Sequence, residues 1–178
     1  YGEIVSFTSV IGAIIPARSV VFLLTENNVG GIAWSIGMIN ARVVPLLLSA
    51  HIDKDLYNHL YELYVPQFIC IPETKLEKGS FPVLKRAFGY VLLKTGEKSY
   101  PVYKHLSHLL PTSGSTGSPK LVRHSYENIT SAALNISTFF ELTSKERPLM
   151  VLPLYYTMGL SMVFSHLYVG ATILITND

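Results

Sequence analysis

Short apolar runs alternate with helix-like patterns along the first 73 residues, and this alternation limits the folds open to the chain. The strand-like runs are Ser19–Thr25, Val43–Leu48 and Gln67–Ile71. The helix-like segments between them cover residues 27–41 and Asp53–Tyr64. This order with short connections is typical of right-handed βαβ units in a parallel sheet. We therefore predict an α/β fold of mostly parallel βαβ sheet layers flanked by helices.

The composition agrees with strands that are covered on both faces. Hydrophobic residues make up 49% of the 178 residues and charged residues only 15%, against about 25% charged residues in typical domains. A parallel sheet buried on both faces needs continuous apolar strands, which lowers the charged fraction. The net charge of +2 is too small for a nucleic-acid footprint, so we predict no nucleic-acid partner.

Residues 74–107 are more polar and interrupt the alternation. Phe88–Lys94 and Tyr100–Lys104 flank the turn-like residues 95–98, which predicts a β-hairpin near residues 88–104. The hairpin would join a first βα portion, residues 1–107, to a second, residues 108–178.

The second portion repeats the alternation. Tyr126–Leu142 carries an apolar stripe of helical period. The remaining predicted elements are a strand at Leu109-Leu110, an extended segment at Leu121–Arg123, strands at Pro148–Pro153 and Ala171–Thr176, and a buried helix at Thr157–Tyr168.

The stretch Leu149–Ile175 is long enough to span a membrane, and His166 is its only side chain that can carry a charge near neutral pH. Pro153 and Gly170, together with three polar residues at 155–157, divide it into strand, helix and strand. We therefore predict no membrane span.

Cysteine and histidine usage excludes two further classes of protein. Cys70 is the single cysteine and lies in an apolar run, so no disulfide framework can form within the chain. The six histidines show no zinc-binding spacing. With no basic, signal-like start, these features favour a reducing compartment, and we expect a cytoplasmic location.

The loop Pro111–Lys120 carries the strongest chemical signal. Glycines let backbone N–H groups turn toward an anion, hydroxyls add uncharged donors, and a lysine supplies a charge suited to polyphosphate. These residues are Thr112, Ser113, Gly114, Ser115, Thr116, Gly117 and Lys120. A flexible linker is disfavoured because the segment is short and lies between strands. A GxxxxGK(S/T) phosphate loop is disfavoured because Pro119 precedes the lysine and Leu121 follows it.

Two motifs in order identify a family resemblance. Thr112–Lys120 (TSGSTGSPK) resembles the TSG(S/T)TGxPK signature of adenylate-forming enzymes, the superfamily of acyl- and aryl-CoA synthetases, luciferases and peptide-synthetase adenylation domains. Leu152–Leu160 (LPLYYTMGL) resembles the family's LPLFHxxGL motif. The chain departs from the family pattern at Leu121, where glycine is common, and at Tyr126 and Tyr156, where histidine is usual.

The resemblance implies that the chain is part of the large N-terminal domain of an ATP-dependent acid ligase. Such an enzyme forms an acyl-adenylate from a carboxylic acid and passes the acyl group to a thiol of CoA or of the phosphopantetheine on a carrier protein. The loop residues, Thr112 to Gly117 and Lys120, would bind the phosphates of ATP. Tyr155, Tyr156 and Gly159 would border the acyl pocket.

The resemblance also implies that other parts of the enzyme lie beyond Asp178. These are the catalytic residues, the adenosine-binding residues and the ligand for Mg²⁺. We therefore expect the chain alone to show no adenylation and to self-associate through exposed apolar faces. Two alternatives are a non-catalytic nucleotide-binding or interaction module derived from the same fold, and a kinase-like NTPase.

Overall fold

The computed structural model describes residues 1–77, 79, 81–96, 101–112 and 120–176. Its helices are α1 Gly2–Ile14, α2 Val29–Asn40, α3 Lys54–Tyr64, α4 Tyr126–Phe139 and α5 Thr157–Tyr168. Its strands are β1 Val20–Thr25, β2 Val44–Ser49, β3 Phe68–Pro72, β4 Val83–Ala87, β5 Tyr90–Lys94, β6 Leu106–Pro111 and β7 Leu121–Ser125. A 3₁₀ turn covers Glu73–Lys75.

The described strands form one sheet in the order β4-β5-β3-β1-β2-β6-β7. The four central strands are parallel, whereas β4, β5 and β7 pair in antiparallel fashion. The predicted α/β fold with a mostly parallel sheet is therefore confirmed. Because β6 pairs with β2, both portions of the chain contribute to one sheet. The division at residue 107 stays a prediction.

Each face of the sheet carries its own apolar core. On one face α1, α2 and α5 cover the strands, with Trp34 and Met38 of α2 fully enclosed. On the other face α3 contributes Leu60. Strands enclosed on both sides explain why β1 and β2 are apolar at nearly every position.

Local signals set the helix boundaries near the predicted ones. Asp53 caps α3, since its side chain accepts hydrogen bonds from the backbone N–H groups of Asp55 and Leu56. The N-cap of α2 is Asn28, one residue after the predicted start. Gly30 in α2 lets the backbone at Phe88 pack against the helix. A Cβ atom at position 30 would lie only 2.2 Å from the carbonyl oxygen of Phe88.

The position predicted for the hairpin is wrong, although a hairpin is present. Its arms are β4 and β5, and its turn is Phe88-Gly89, where both residues have positive φ. Turns of this kind match the twist of the two strands. Residues 101–104 form no strand. Glu97, Lys98 and Tyr100 lie outside the described residues.

The strands predicted at Pro148–Pro153 and Ala171–Thr176 are present only as a single β-bridge. Leu149 and Leu174 form an isolated parallel bridge, and the rest of Pro148–Pro153 and Ala171–Thr176 is irregular within the described range. The helix predicted between them is confirmed as α5. In the part of the chain that the structure describes, none of the helices meets the length and hydropathy that a transmembrane span requires.

Candidate functional site

Strands β6 and β7 hold the two ends of the predicted phosphate loop side by side. Pro111 pairs with Leu121, and the N–H of Thr112 donates a hydrogen bond of 2.9 Å to the carbonyl oxygen of Lys120. The side chains of Thr112 and Lys120 are exposed. An antiparallel pair closed in this way places the exposed Lys120 beside Thr112, so the two ends of the motif lie together.

The central residues of the motif, Ser113 to Gly117, lie outside the described residues. Their role in binding the phosphates of ATP therefore stays a prediction. Thr112 and Lys120 are the two predicted phosphate-binding residues whose positions are described.

The predicted acyl segment forms the start of α5. Tyr156 is the N-cap of α5, and its side chain is half exposed. The rings of Tyr155 and Tyr156 lie 4.7 Å apart between centroids. A Cβ atom at Gly159 would lie 2.1 Å from the carbonyl oxygen of Pro153, so the turn into α5 has no room for a larger residue.

Asn27 fixes this segment to the carboxyl edge of the sheet. Its side-chain oxygen accepts a hydrogen bond from the N–H of Leu154 at 3.2 Å, and its amide nitrogen donates to the carbonyl oxygen of Leu152 at 3.1 Å. Asn27 follows β1, and ligands of α/β sheets bind outside the carboxyl ends of the strands. The acyl motif thus lies at the expected edge. The sequence pattern places Asn27 only at the start of a helix-like segment and assigns it no role in the site.

A pair of stacked histidines, which the sequence reasoning did not assign to a site, lies beside these motifs. His108 in β6 and His124 in β7 are cross-strand partners, and their rings are 4.5 Å apart between centroids and nearly parallel, at 3°. The hydroxyl of Ser107 lies 2.9 Å from Nδ1 of His108 and donates to the carbonyl oxygen of His124. Nε2 of His124 is buried and has no hydrogen-bond partner among the described residues.

Both imidazoles are held in their neutral form. Burial and the neighbouring His124 lower the pKa of His108 from its ordinary 6.5 to about 3. Burial also lowers the pKa of His124. Side chains whose pKa is shifted by burial occur at functional sites and also in structural cores. The surroundings of the histidine pair therefore decide between a functional and a structural role.

The pair forms part of the wall of a cleft of about 360 Å³ between β6, β7, α4 and α5, hereafter the histidine cleft. Leu110 lines it two residues before Thr112, and Thr157 lines it one residue after Tyr156. The cleft therefore lies next to both predicted motifs. Its other lining residues are His108, Arg123, His124, Asn128, Ile129, Ala132, Leu160, Ser161 and Phe164.

A larger cavity of about 790 Å³ lies against α3 on the opposite face of the sheet. Tyr57 and Ile71 are among its lining residues, together with part of the connection before β4. Its walls come from elements that carry neither motif, so its larger size does not connect it to the predicted site.

Tyr126, which stands where the family usually has histidine, is held between two arginines. The guanidinium carbon of Arg42 lies 4.2 Å from the centroid of the Tyr126 ring, a cation–π arrangement. Arg18 donates to the carbonyl oxygen of Leu106 at 2.8 Å and contacts the Tyr126 hydroxyl at 3.5 Å. The tyrosine thus ties the start of α4 to the strand β6. Within the described ranges, no three His, Cys, Asp or Glu side chains converge on a metal site.

Comparison with known proteins gives one family. The model of the family described as AMP-binding enzyme matches residues 16–178. Relatives include the 2-succinylbenzoate–CoA ligase of Bacillus velezensis, 31% identical over 78 residues, and that of Bacillus subtilis, 34% identical over 67 residues. The alignments cover 44% and 38% of this chain and 16% and 14% of the relatives.

Solved structures share the fold over almost the whole chain. Escherichia coli MenE with a bound analogue of OSB-AMS has a TM-score of 0.74 at 18% identity, over 99% of this chain and 39% of that protein. Apo MatB from Rhodopseudomonas palustris has a TM-score of 0.78 at 18% identity, over 98% of this chain and 39% of that protein. The nonribosomal peptide synthetase FmoA3 has a TM-score of 0.76 at 18% identity, over 100% of this chain and 20% of that protein. The chain spans well under half of each of these proteins.

Proposed function

The chain belongs to the AMP-binding enzyme family, whose model it matches over residues 16–178, and on that premise we propose that the protein is an ATP-dependent acid ligase. A carboxylate oxygen of the substrate attacks the α-phosphorus of ATP, and the bond to the bridging oxygen breaks. The products are an acyl-adenylate and pyrophosphate. A thiol sulfur then attacks the acyl carbon, and AMP leaves as the thioester forms.

The phosphate loop carries this proposal. Transfer at phosphorus needs positioning and charge stabilisation more than a protein nucleophile. We assign the hydroxyls of Thr112, Ser113, Ser115 and Thr116, with the amides of Gly114 and Gly117, to the phosphates of ATP. The exposed ammonium of Lys120, at the base of the loop, neutralises charge on the departing pyrophosphate.

The start of α5 borders the reacting end of the acid. Tyr155 and Tyr156 form one wall, and Gly159 keeps the turn narrow. The hydroxyl of a tyrosine donates a hydrogen bond to a carboxylate without changing charge. This supports Tyr156 as the group that takes the place of the family's usual histidine.

The acceptor is a thiol of CoA or of a phosphopantetheine-bearing carrier protein. The two similar 2-succinylbenzoate–CoA ligases favour CoA, whereas the likeness to the peptide synthetase FmoA3 favours a carrier protein. We assign no residue of this chain to Mg²⁺, whose ligand we predict elsewhere in the enzyme. Use of ATP and a reduced thiol is consistent with the cytoplasmic location that we propose.

The test is ATP–pyrophosphate exchange by the full-length gene product. Lys120→Ala removes the charge at the base of the loop, and we expect acid-dependent exchange to fall about 10²-fold, the usual cost of losing one stabilising donor. Lys104→Ala is the matched control, since Lys104 is an exposed lysine of the connection before β6. Equal exchange by the two variants would remove Lys120 from the site. Nucleotide binding with no exchange under any acid would favour the non-catalytic module.

A further inference from the structure

We propose that the histidine cleft binds the non-reacting end of the carboxylic acid and selects acids that carry a hydroxyl group there. The proposal rests on the ligase function proposed above and adds the class of substrate to it. The cleft fits the role by position, because its lining includes the residues that lead into the phosphate loop and into α5. An acid held with its carboxylate between the two motifs can extend its other end into this space.

The size and walls of the cleft favour a compact, mostly apolar body. A volume of about 360 Å³ is near the lower end of the range for small-molecule sites, which is about 300–1,000 Å³. Leu110, Leu160 and Phe164 supply apolar surface. A substituted ring or a short chain therefore suits the cleft better than a long acyl chain.

The polar recognition point is the histidine pair. Ser107 occupies Nδ1 of His108, which leaves Nε2 as the remaining hydrogen-bonding atom of that ring. Nε2 of His124 is buried and has no hydrogen-bond partner in the part of the chain that the structure describes, an arrangement that destabilises a protein unless a ligand or water completes it. A hydroxyl both donates and accepts, so it completes either tautomer of a neutral imidazole.

A hydroxyl fits this pair better than a second carboxylate does. The buried imidazole of His108 and the partly buried imidazole of His124 are uncharged near neutral pH, so they offer no charge to offset the cost of burying an anion. Among the residues that line the histidine cleft, Arg123 carries the permanent charge, and its side chain is exposed. A solvated guanidinium at the rim gives little attraction to a group bound beside the pair.

The test compares acids that differ only at the far end, with the full-length gene product and pyrophosphate exchange. One series is benzoate, 3-hydroxybenzoate and isophthalate, and the other is hexanoate, 6-hydroxyhexanoate and adipate. We expect the hydroxy acid to exceed the other two acids of its series in kcat/KM by about 10-fold, the worth of one good hydrogen bond. A preference for the diacid or the plain acid would overturn the proposal.

Variants locate the preference in the cleft. His124→Phe keeps the flat ring but removes the nitrogens, so the preference for the hydroxy acid should fall to less than about 2-fold while the KM for ATP stays unchanged. His59→Phe, on the exposed side of α3, should leave the preference intact. If His124→Phe fails to fold, Ala132→Leu supplies the same test by filling the cleft. It should raise the KM for the ring acids and leave that for acetate unchanged.

The outcomes separate the two proposals. If all the acids support exchange equally, and if His124→Phe and Ala132→Leu leave it unchanged, the role proposed for the histidine cleft is overturned. The proposed ligase function would still stand. Absence of exchange with every acid, acetate included, would overturn the ligase function and the cleft with it.

Discussion

The centre of the sheet and its β6–β7 edge differ in how completely they are buried. In β2, Leu46, Leu47 and Leu48 have no exposed surface, because helices cover both faces. In β7 every side chain is at least partly exposed, and Phe139 at the end of α4 is 80% exposed. Thr112, Lys120 and His124 lie at or beside β7, whereas β1, β2 and β3 carry no residue that we assign to chemistry.

The difference indicates that the centre of the sheet stabilises the fold, whereas the β6–β7 edge is the region open to a ligand. Fully enclosed strands contribute most to stability, while regions with few apolar contacts open at lower free-energy cost. The acid-binding role that we propose for the histidine cleft would need that freedom. The predictions below test whether stability and recognition are separated in this way.

The largest expected effect is the loss of a central side chain. Leu47→Ala removes a fully buried group from β2 and should lower the free energy of unfolding by about 2–5 kcal/mol. Val122→Ala, at the half-exposed edge strand β7, should cost less than about 1 kcal/mol. Urea unfolding of both variants measures the difference. Equal losses would show that the edge contributes as much to stability as the centre.

The next effect is a pH dependence of the free energy of unfolding that comes from His108 in β6. The pKa of His108 is about 3 in the folded state and about 6.5 when unfolded, so the unfolded chain binds more protons between these values. The free energy of unfolding therefore falls as the pH drops below about 6.5, by up to about 1.4 kcal/mol per pH unit from this group.

His108→Gln should remove that contribution. The difference in unfolding free energy between the wild type and the variant should shrink steadily from pH 7 to pH 4.5 in urea titrations. Carboxylates titrate alike in both proteins and cancel in this difference. His51→Gln, at an exposed position, is the control and should follow the wild type. A constant difference for His108→Gln would contradict a neutral buried imidazole.

The smallest effect concerns weak association of the 178-residue chain by itself. Phe139 and Phe140 at the end of α4 are 80% and 65% exposed, and exposed apolar patches favour self-association. Replacing both with lysine should lower the concentration-dependent light scattering of the chain. Leu63→Lys, at a 58% exposed apolar site on α3, should change it less. Scattering that is independent of concentration in the wild type would contradict the prediction.

The central strands were predictable because each is enclosed along its whole length. For β1, β2 and β3 a continuous apolar run is itself the signal. Helix α1 was missed because its polar side chains are few and mostly small, and because Tyr1 makes no capping hydrogen bond with its side chain. It is held by contacts with α2, such as the edge-to-face pair of Phe7 and Trp34 at 4.8 Å.

The site was predictable only where it is a local motif. The two family motifs are contiguous in sequence, so their residues could be named directly. The pairing of His108 with His124 depends on the register of β6 and β7, which shifts at an irregularity between Leu106 and His108. The hairpin was misplaced for a similar reason, since Phe88 adopts a positive φ that no turn preference of phenylalanine signals.

The most direct test of the account is to identify the products that the full-length gene product forms from ATP. Incubation with a carboxylic acid and ATP, without a thiol, should give pyrophosphate and an adenylate whose mass equals that of the acid plus AMP minus water. The same amount of each should form, and neither should appear without the acid. Formation of ADP and orthophosphate instead, as by a kinase-like NTPase, would contradict the account.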